Sequence, residues 1–332
     1  MPDTLTNNES QDTVVYEQEE LTPVAEVFNV EEQSGNNPVL SNDPLANIIN
    51  DNPVVESSQT LLSSAQNHQY KATAFYWPLR KYNITGYRFG DKVIFGKNII
   101  KYHTGEDAEG SAGNPVYAVA NGIVLYSGKA TGYGYCVVLE HHMFGNFYVR
   151  SVYGHLRSVD IQAGWTVGQG RRIGILGTKD ENGGYPEHLH FGIRKGPESG
   201  NWDYWGYEYN VSSWYNPSQD FILGRLPKPF DPNPIPLWRN SSPNWFTLAK
   251  GYFQKYKIDV PVNTTLNFNL KALEGNPDIY VGYDINISPT KNYIAKSIKN
   301  GSDTLTFKTK KTTVYIAVHA YTKASWEISV NN

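Results

Sequence analysis

The sequence predicts an all-β chain, mainly antiparallel, and three observations carry that prediction. Glycine (29), tyrosine (24) and proline (19) are abundant, as suits short strands joined by turns. Brief β-branched and aromatic runs recur between glycines, and no apolar heptad repeat interrupts them. Very little helix is expected. At 332 residues the chain has room for two domains with appendages.

Taken in order, residues 1–70 are rich in Asn, Ser and Gln and hold twelve Asp or Glu with no Lys or Arg. Low hydrophobicity with one-sided charge predicts a disordered acidic tail. The overall charge of −3 therefore hides 29 bases against 20 acids in the remainder, a net of +9. That balance suits an anionic polymer such as a cell wall, but a scatter of solvated lysines is the favoured reading. No dense basic stripe is present, so no nucleic-acid partner is expected.

Order is expected to begin near Ala74, opening a domain at 71–225. Its predicted strands are 116–119, 122–126, 136–140, 147–153, 172–176 and 188–193. An aromatic segment, Asn201-Trp202-Asp203-Tyr204-Trp205-Gly206-Tyr207, either walls a groove or closes the core. Prolines 227, 229, 232, 234, 236 and 243 predict a stiff linker over 226–244. Residues 245–332 read as a small β-sandwich with strands at 252–260, 265–270, 278–283, 304–308, 313–320 and 325–330. Its one histidine, His319, reads as a strand residue.

Cys136 has no partner in the chain, which excludes an internal disulfide framework. No stretch is long and apolar enough to span a membrane. The amino terminus shows no charged and apolar pattern of an ordinary secretory signal.

The groups with catalytic character gather in the middle domain. In a strand at 188–193 successive side chains alternate, so His188 and His190 share one face while Leu189 and Phe191 take the other. Upstream, His103-Thr104-Gly105-Glu106-Asp107 and Tyr153-Gly154-His155-Leu156 offer further polar groups. A catalytic zinc site keeps three protein ligands and a fourth position for water, whose pKa falls to about 7. His103 and Asp107, separated by Gly105, meet at one ion if the chain turns sharply there, and His190 completes the set. His155 and His188 then flank the open position, able to take a proton from water, stabilise an oxyanion and protonate a leaving amine. His141 and His142 fit no ligand position and read as structural.

Residues 85–193 resemble the lysostaphin-type zinc endopeptidases that cut peptidoglycan cross-links. The likeness lies in Gly86-Tyr87-Arg88, the 103–107 and 153–156 motifs, Gly113-Asn114-Pro115, Ala120-Asn121-Gly122-Ile123-Val124, Val167-Gly168-Gln169-Gly170 and His188-Leu189-His190-Phe191. It implies an antiparallel β-sheet groove fold, Zn2+ held by His103, Asp107 and His190, and a catalytic pair His155 and His188. The 178–187 segment is longer and more charged than the family's usual short turn, which predicts a reshaped groove rim. Residues 245–332 resemble the bacterial pre-peptidase C-terminal β-sandwich, through Tyr252-Phe253-Gln254-Lys255-Tyr256, Asn276-Pro277-Asp278-Ile279-Tyr280-Val281 and Thr313-Val314-Tyr315-Ile316-Ala317-Val318.

Together these imply an extracytoplasmic zinc endopeptidase whose partner is peptidoglycan or a short peptide. A second reading is a non-catalytic wall-binding or scaffold protein on the same fold. The glycine turn 167–174 also resembles those of biotinyl, lipoyl and phosphocarrier domains, but it carries no lysine to modify. Oligomeric state is left open by the sequence.

Overall fold

A computed structural model describes residues 71–95, 98–143, 147–196, 206–225 and 234–332. The acidic tail, most of the aromatic segment at 201–207 and the first part of the proline-rich stretch lie outside these residues. The expected all-β architecture is present. Helix among the described residues is confined to Pro217–Ile222 and Leu223–Arg225.

The middle of the chain builds a nine-stranded sheet whose principal members are antiparallel. β5 (Gly122–Ala130), β6 (Gly134–His142), β7 (Tyr148–Val159) and β10 (His188–Gly196) pair in that order. The first half of β10 also pairs with β3 (Glu106–Glu109), and its second half with β12 (Trp214–Tyr215). β4 (Pro115–Tyr117) and β9 (Arg172–Leu176) extend the body beyond β7, while β8 (Thr166–Val167) edges β5. Val137 and Leu139 of β6 face one core, whereas Cys136 and Val138 face a second cluster with Val152 and Trp214. Both faces of these strands are covered, which is why their sequences run apolar instead of alternating.

A separate small sheet pairs β1 (Lys92–Phe95), β2 (Ile99–His103) and β11 (Tyr207–Glu208). The sequence reading had no strand for this hairpin. Its apolar residues are largely exposed, with Ile94 61% and Ile99 45% accessible, so burial did not shape its composition.

The last third is a two-sheet sandwich. One sheet orders β13 (Ile235–Pro236), β15 (Phe253–Asp259), β20 (Thr313–Ala320), β17 (Pro277–Gly282) and β18 (Ala295–Ser297). The other orders β14 (Asn244–Leu248), β21 (Ala324–Asn331), β16 (Thr265–Glu274) and β19 (Asp303–Lys308). In β21 burial alternates residue by residue, as expected of a strand with one face inward. Leu266, Phe268 and Leu270 of β16 meet Ile279 and Val281 of β17 in one core, and the Trp326 indole donates to the Tyr256 hydroxyl at 3.1 Å.

The described part of the proline-rich stretch is packed rather than free. Ile235 and Leu237 are buried in the sandwich core, and Ile235 pairs in parallel with Tyr256. Trp245 sits between the rings of Tyr76 and Tyr117, with centroids 5.3 and 5.2 Å away. Its N–H donates to the Gly170 carbonyl at 2.7 Å, and the Asn244 amide donates to the Gln169 carbonyl at 2.8 Å. Arg80 pairs with Glu327 across the same contact. The 167–170 glycine turn thus serves as the seat of the sandwich on the nine-stranded body.

Candidate metal centre

Strand register brings the polar groups together. β3 and β10 are antiparallel with Asp107 directly opposite His190, so their side chains leave the sheet on the same face. His103 ends β2, and only Thr104 and Gly105 separate it from β3. Gly105 was expected to ease a sharp turn; its φ is not in the left-handed region, and closeness is what it supplies. A Cβ there would stand 2.5 Å from the Phe191 carbonyl oxygen and 2.9 Å from His190 Cε1.

Three donors converge. His103 Nε2 lies 2.9 Å from His190 Nδ1 and 3.2 Å from Asp107 Oδ1, and His190 Nδ1 lies 3.2 Å from the same oxygen. Ligands about 2.0–2.2 Å from a tetrahedral ion stand roughly 3.3–3.5 Å from one another, so the triangle fits zinc to within a few tenths of an ångström. The His103 proton is fixed as well. Its Nδ1 faces the Arg88 carbonyl at 3.2 Å, and a carbonyl only accepts, which leaves Nε2 with its lone pair toward the triangle. All three residues are buried. Among the described residues no other group of three His, Cys, Asp or Glu meets so closely.

Burial alone would push the Asp107 carboxyl upward. Hydrogen bonds from His103, His188 and His190, with the charge of His103, instead hold it far below the usual carboxylate range. Burial pushes His190 down to about 4, against its bond to Asp107. An ionised carboxylate beside imidazole nitrogens is the donor set that a divalent cation requires.

The expected pair lies beside this triangle. The His155 and His188 rings have centroids 4.3 Å apart, and His188 Nε2 is 3.5 Å from Asp107 Oδ1. Burial and then the neighbouring His188 push His155 down to about 3, so its ring is neutral near pH 7. For His188 burial lowers the pKa, but the bond to Asp107, the charge of Asp107 and the bond to the Pro186 carbonyl together outweigh it and the net shift is upward.

His155 carries a positive φ of 65°, rare outside glycine. The cause is a β-bulge: Val137 pairs with Tyr153 and Tyr135 with Leu156, leaving Gly154 and His155 opposite one residue. The bulge re-aims the imidazole toward the site. Tyr133 then fills the floor, its ring centroid 5.4 Å from both His155 and His190. Tyr207 lies 5.1 Å from the His103 ring.

The other candidates fall elsewhere. His141 is fully buried, donating from Nδ1 to the Asn121 carbonyl at 2.9 Å, with Ser151 Oγ 2.6 Å from Nε2. His142 stacks on Tyr148, and His319 lies on β20 opposite Asp278. Glu106, adjacent to Asp107, points the other way and binds the Ser218 and Tyr82 hydroxyls at 2.5 and 2.8 Å. Three features of the site carried no sequence signal: the Arg88 carbonyl behind His103, the bulge under His155, and Tyr133.

Residues 101–202 match peptidase family M23. The DD-carboxypeptidase/endopeptidase Mpg of Neisseria meningitidis serogroup B is 34% identical over 94 residues, 28% of this chain and 20% of that protein. The chain thus spans about a fifth of the length of that relative. Lipoprotein NlpD of Yersinia enterocolitica is 35% identical over 89 residues, 26% of this chain and 84% of that protein. Among solved structures, a zinc-containing peptidase from Vibrio cholerae is 29% identical, covering 37% of each chain with a TM-score of 0.33. The lysostaphin catalytic domain from Staphylococcus simulans is 23% identical, covering 49% of this chain and 96% of that one with a TM-score of 0.30. With the family match lying over the converging histidines and Asp107, the chain belongs to peptidase family M23.

Proposed function

We propose that the chain is a zinc-dependent endopeptidase acting on peptide cross-links of bacterial peptidoglycan. The observation that carries this reading is the buried triangle of His103 Nε2, Asp107 Oδ1 and His190 Nδ1, flanked on one side by a second pair of histidines. His103, Asp107 and His190 would hold the ion. When bound, zinc supplies Lewis acidity, bringing the pKa of water to about 7 and polarising a carbonyl.

The chain's own residues do the rest. His155 is held neutral by burial, so it can accept a proton during attack and pass it on to the departing amine. His188, whose pKa is raised by Asp107, is suited to carry a proton and to stabilise charge growing on the attacked carbonyl oxygen. Tyr133 and Tyr207 exclude water from the floor beside the ligands. The mildly basic remainder of the chain is compatible with an anionic wall polymer. The endopeptidase and lipoprotein names of the relatives support an extracytoplasmic location.

A direct test is incubation with purified cross-linked muropeptide dimers. Monomers released by the zinc-loaded protein, and not after chelation, are expected. Intact dimers with a full equivalent of zinc bound would remove peptidoglycan from the proposal.

A further inference from the structure

The 178–187 loop, read from the sequence only as a reshaped rim, reaches the active site through backbone carbonyls. His155 Nδ1 stands 2.8 Å from the Asn182 carbonyl, and His188 Nδ1 stands 2.7 Å from the Pro186 carbonyl. A carbonyl only accepts, so each ring carries its proton on Nδ1 and turns Nε2 toward the site, that of His188 facing Asp107 Oδ1 at 3.5 Å. Two histidines from different strands are oriented by one loop.

Asn182 holds that loop in shape. It is fully buried in a stretch where residues 179–181 and 183–187 are exposed. Its Oδ1 accepts from the N–H groups of Gly184 and Tyr185 at 3.2 and 3.0 Å. Its Nδ2 donates to the carbonyls of Tyr185 and Pro186 at 2.9 and 3.3 Å. The whole hydrogen-bonding capacity of the amide is thereby spent inside the loop, and its second donor bond goes to the carbonyl that orients His188.

Further bonds hold the loop, both within it and from outside. Thr178 accepts from the N–H groups of Glu181 and Asn182, both at 3.0 Å, and the Glu187 carboxylate accepts from the Ala112 N–H at 2.7 Å. The Asn182 backbone lies against the β5–β6 turn, where a Cβ on Gly134 would stand 2.3 Å from the Glu181 carbonyl oxygen and 2.8 Å from Asn182 Cα.

We propose that Asn182 is a positioning residue which, by shaping the 178–187 loop, sets the tautomer and orientation of both His155 and His188. The proposal rests on the reading of these two histidines as the catalytic pair. The hydrogen bonds of the Asn182 side chain all run within its own loop. Its side chain acts through the Asn182 and Pro186 carbonyls, so its loss lowers turnover and leaves substrate affinity and zinc alone.

Two variants of the full zinc-loaded chain test this. Asn182→Ala removes all four side-chain bonds, whereas Asn182→Asp keeps the two acceptor bonds and loses the donors, including the one to the His188 partner. For Asn182→Ala, kcat on a defined cross-linked peptide is expected to fall about 10–100-fold, the usual scale for loss of such a supporting contact, with KM and zinc content unchanged. Nitrogen-15 imidazole signals should show Nδ1–H on both rings in the parent protein and mixed tautomers in the variant. Asn182→Asp should perturb His188 more than His155. In a His155→Ala/His188→Ala background the same change should have no further effect on the residual rate.

Unchanged kcat and unchanged imidazole signals in Asn182→Ala would overturn the proposal. So would a further fall in the double-alanine background. If Asn182→Ala loses zinc or fails to fold, Asn182→Asp carries the test on the same criteria. If the parent protein cleaves no cross-linked peptide, the functional reading fails, and the imidazole signals still decide the role of Asn182.

Discussion

Metal binding should separate the histidines into two classes. The triangle of donors is already assembled, with edges of 2.9, 3.2 and 3.2 Å, so little rearrangement opposes an entering ion. Zinc that binds only the folded chain, at a thousandfold over its Kd, stabilises by about 4 kcal/mol. For a body of this size that corresponds to a rise in Tm of roughly 8–16 °C. The quantity to measure is the difference in Tm between zinc-loaded and chelated samples of each variant, by scanning calorimetry. His190→Ala and Asp107→Asn should abolish the difference, because each leaves two donors. His188→Ala and His155→Ala should keep it while activity falls by roughly 10²–10⁴, the range for a lost general acid or base. A full zinc-dependent rise in His190→Ala, or its disappearance in His188→Ala, would refute the division into ligands and catalysts.

Three other perturbations probe the scaffold. Gly105→Ala drives a methyl group into the Phe191 carbonyl and the His190 ring, so it should destabilise by roughly 1–3 kcal/mol and weaken zinc binding; unaltered zinc affinity would show that β3 and β10 need not approach so closely. Trp245→Ala empties the space between Tyr76 and Tyr117 and should cost about 3–5 kcal/mol in urea unfolding, whereas a negligible change would remove Trp245 as the fastener of the sandwich. His141 is neutral when folded, its pKa pushed by burial from 6.5 down to about 4. The unfolded chain therefore binds the proton first, and stability should fall as pH drops from 6.5 towards 4, by about 3 kcal/mol from this residue. His141→Asn should flatten that part of the pH profile; an identical slope in both proteins would contradict it.

Much of the site was legible because side-chain identity and spacing carry it. The alternation of 188–191 places His188 and His190 on one face whatever the partner strands are, and β10 obeys it. The spacing of His103 and Asp107 likewise survives folding, although the β3–β10 register does the converging and Gly105 supplies closeness. What escaped was carried by the backbone. A carbonyl has the same chemistry at Arg88, Asn182 and Pro186 as anywhere else, so nothing in the sequence marks the acceptors that fix three imidazole protons. The bulge at Gly154 and His155 depends on register with β6, a non-local property. The β1–β2 hairpin escaped for a different reason. Its exposed isoleucines follow no inside–outside pattern, and strand reading depends on such a pattern. In the sandwich, β14 hid among the residues following the prolines because its packing partners, Tyr76 and Tyr117, lie well over a hundred residues earlier.

Metal-dependent wall cleavage by the 155/188 histidine pair is the proposed activity. The measurement that reaches it most directly is release of new free amines from purified peptidoglycan by the zinc-loaded protein, run beside His188→Ala and a chelated sample. Release by the intact protein is expected, with at most about a hundredth of that rate from His188→Ala and none after chelation. Equal release by the His188→Ala protein, or no release by an intact protein carrying its zinc, would contradict it.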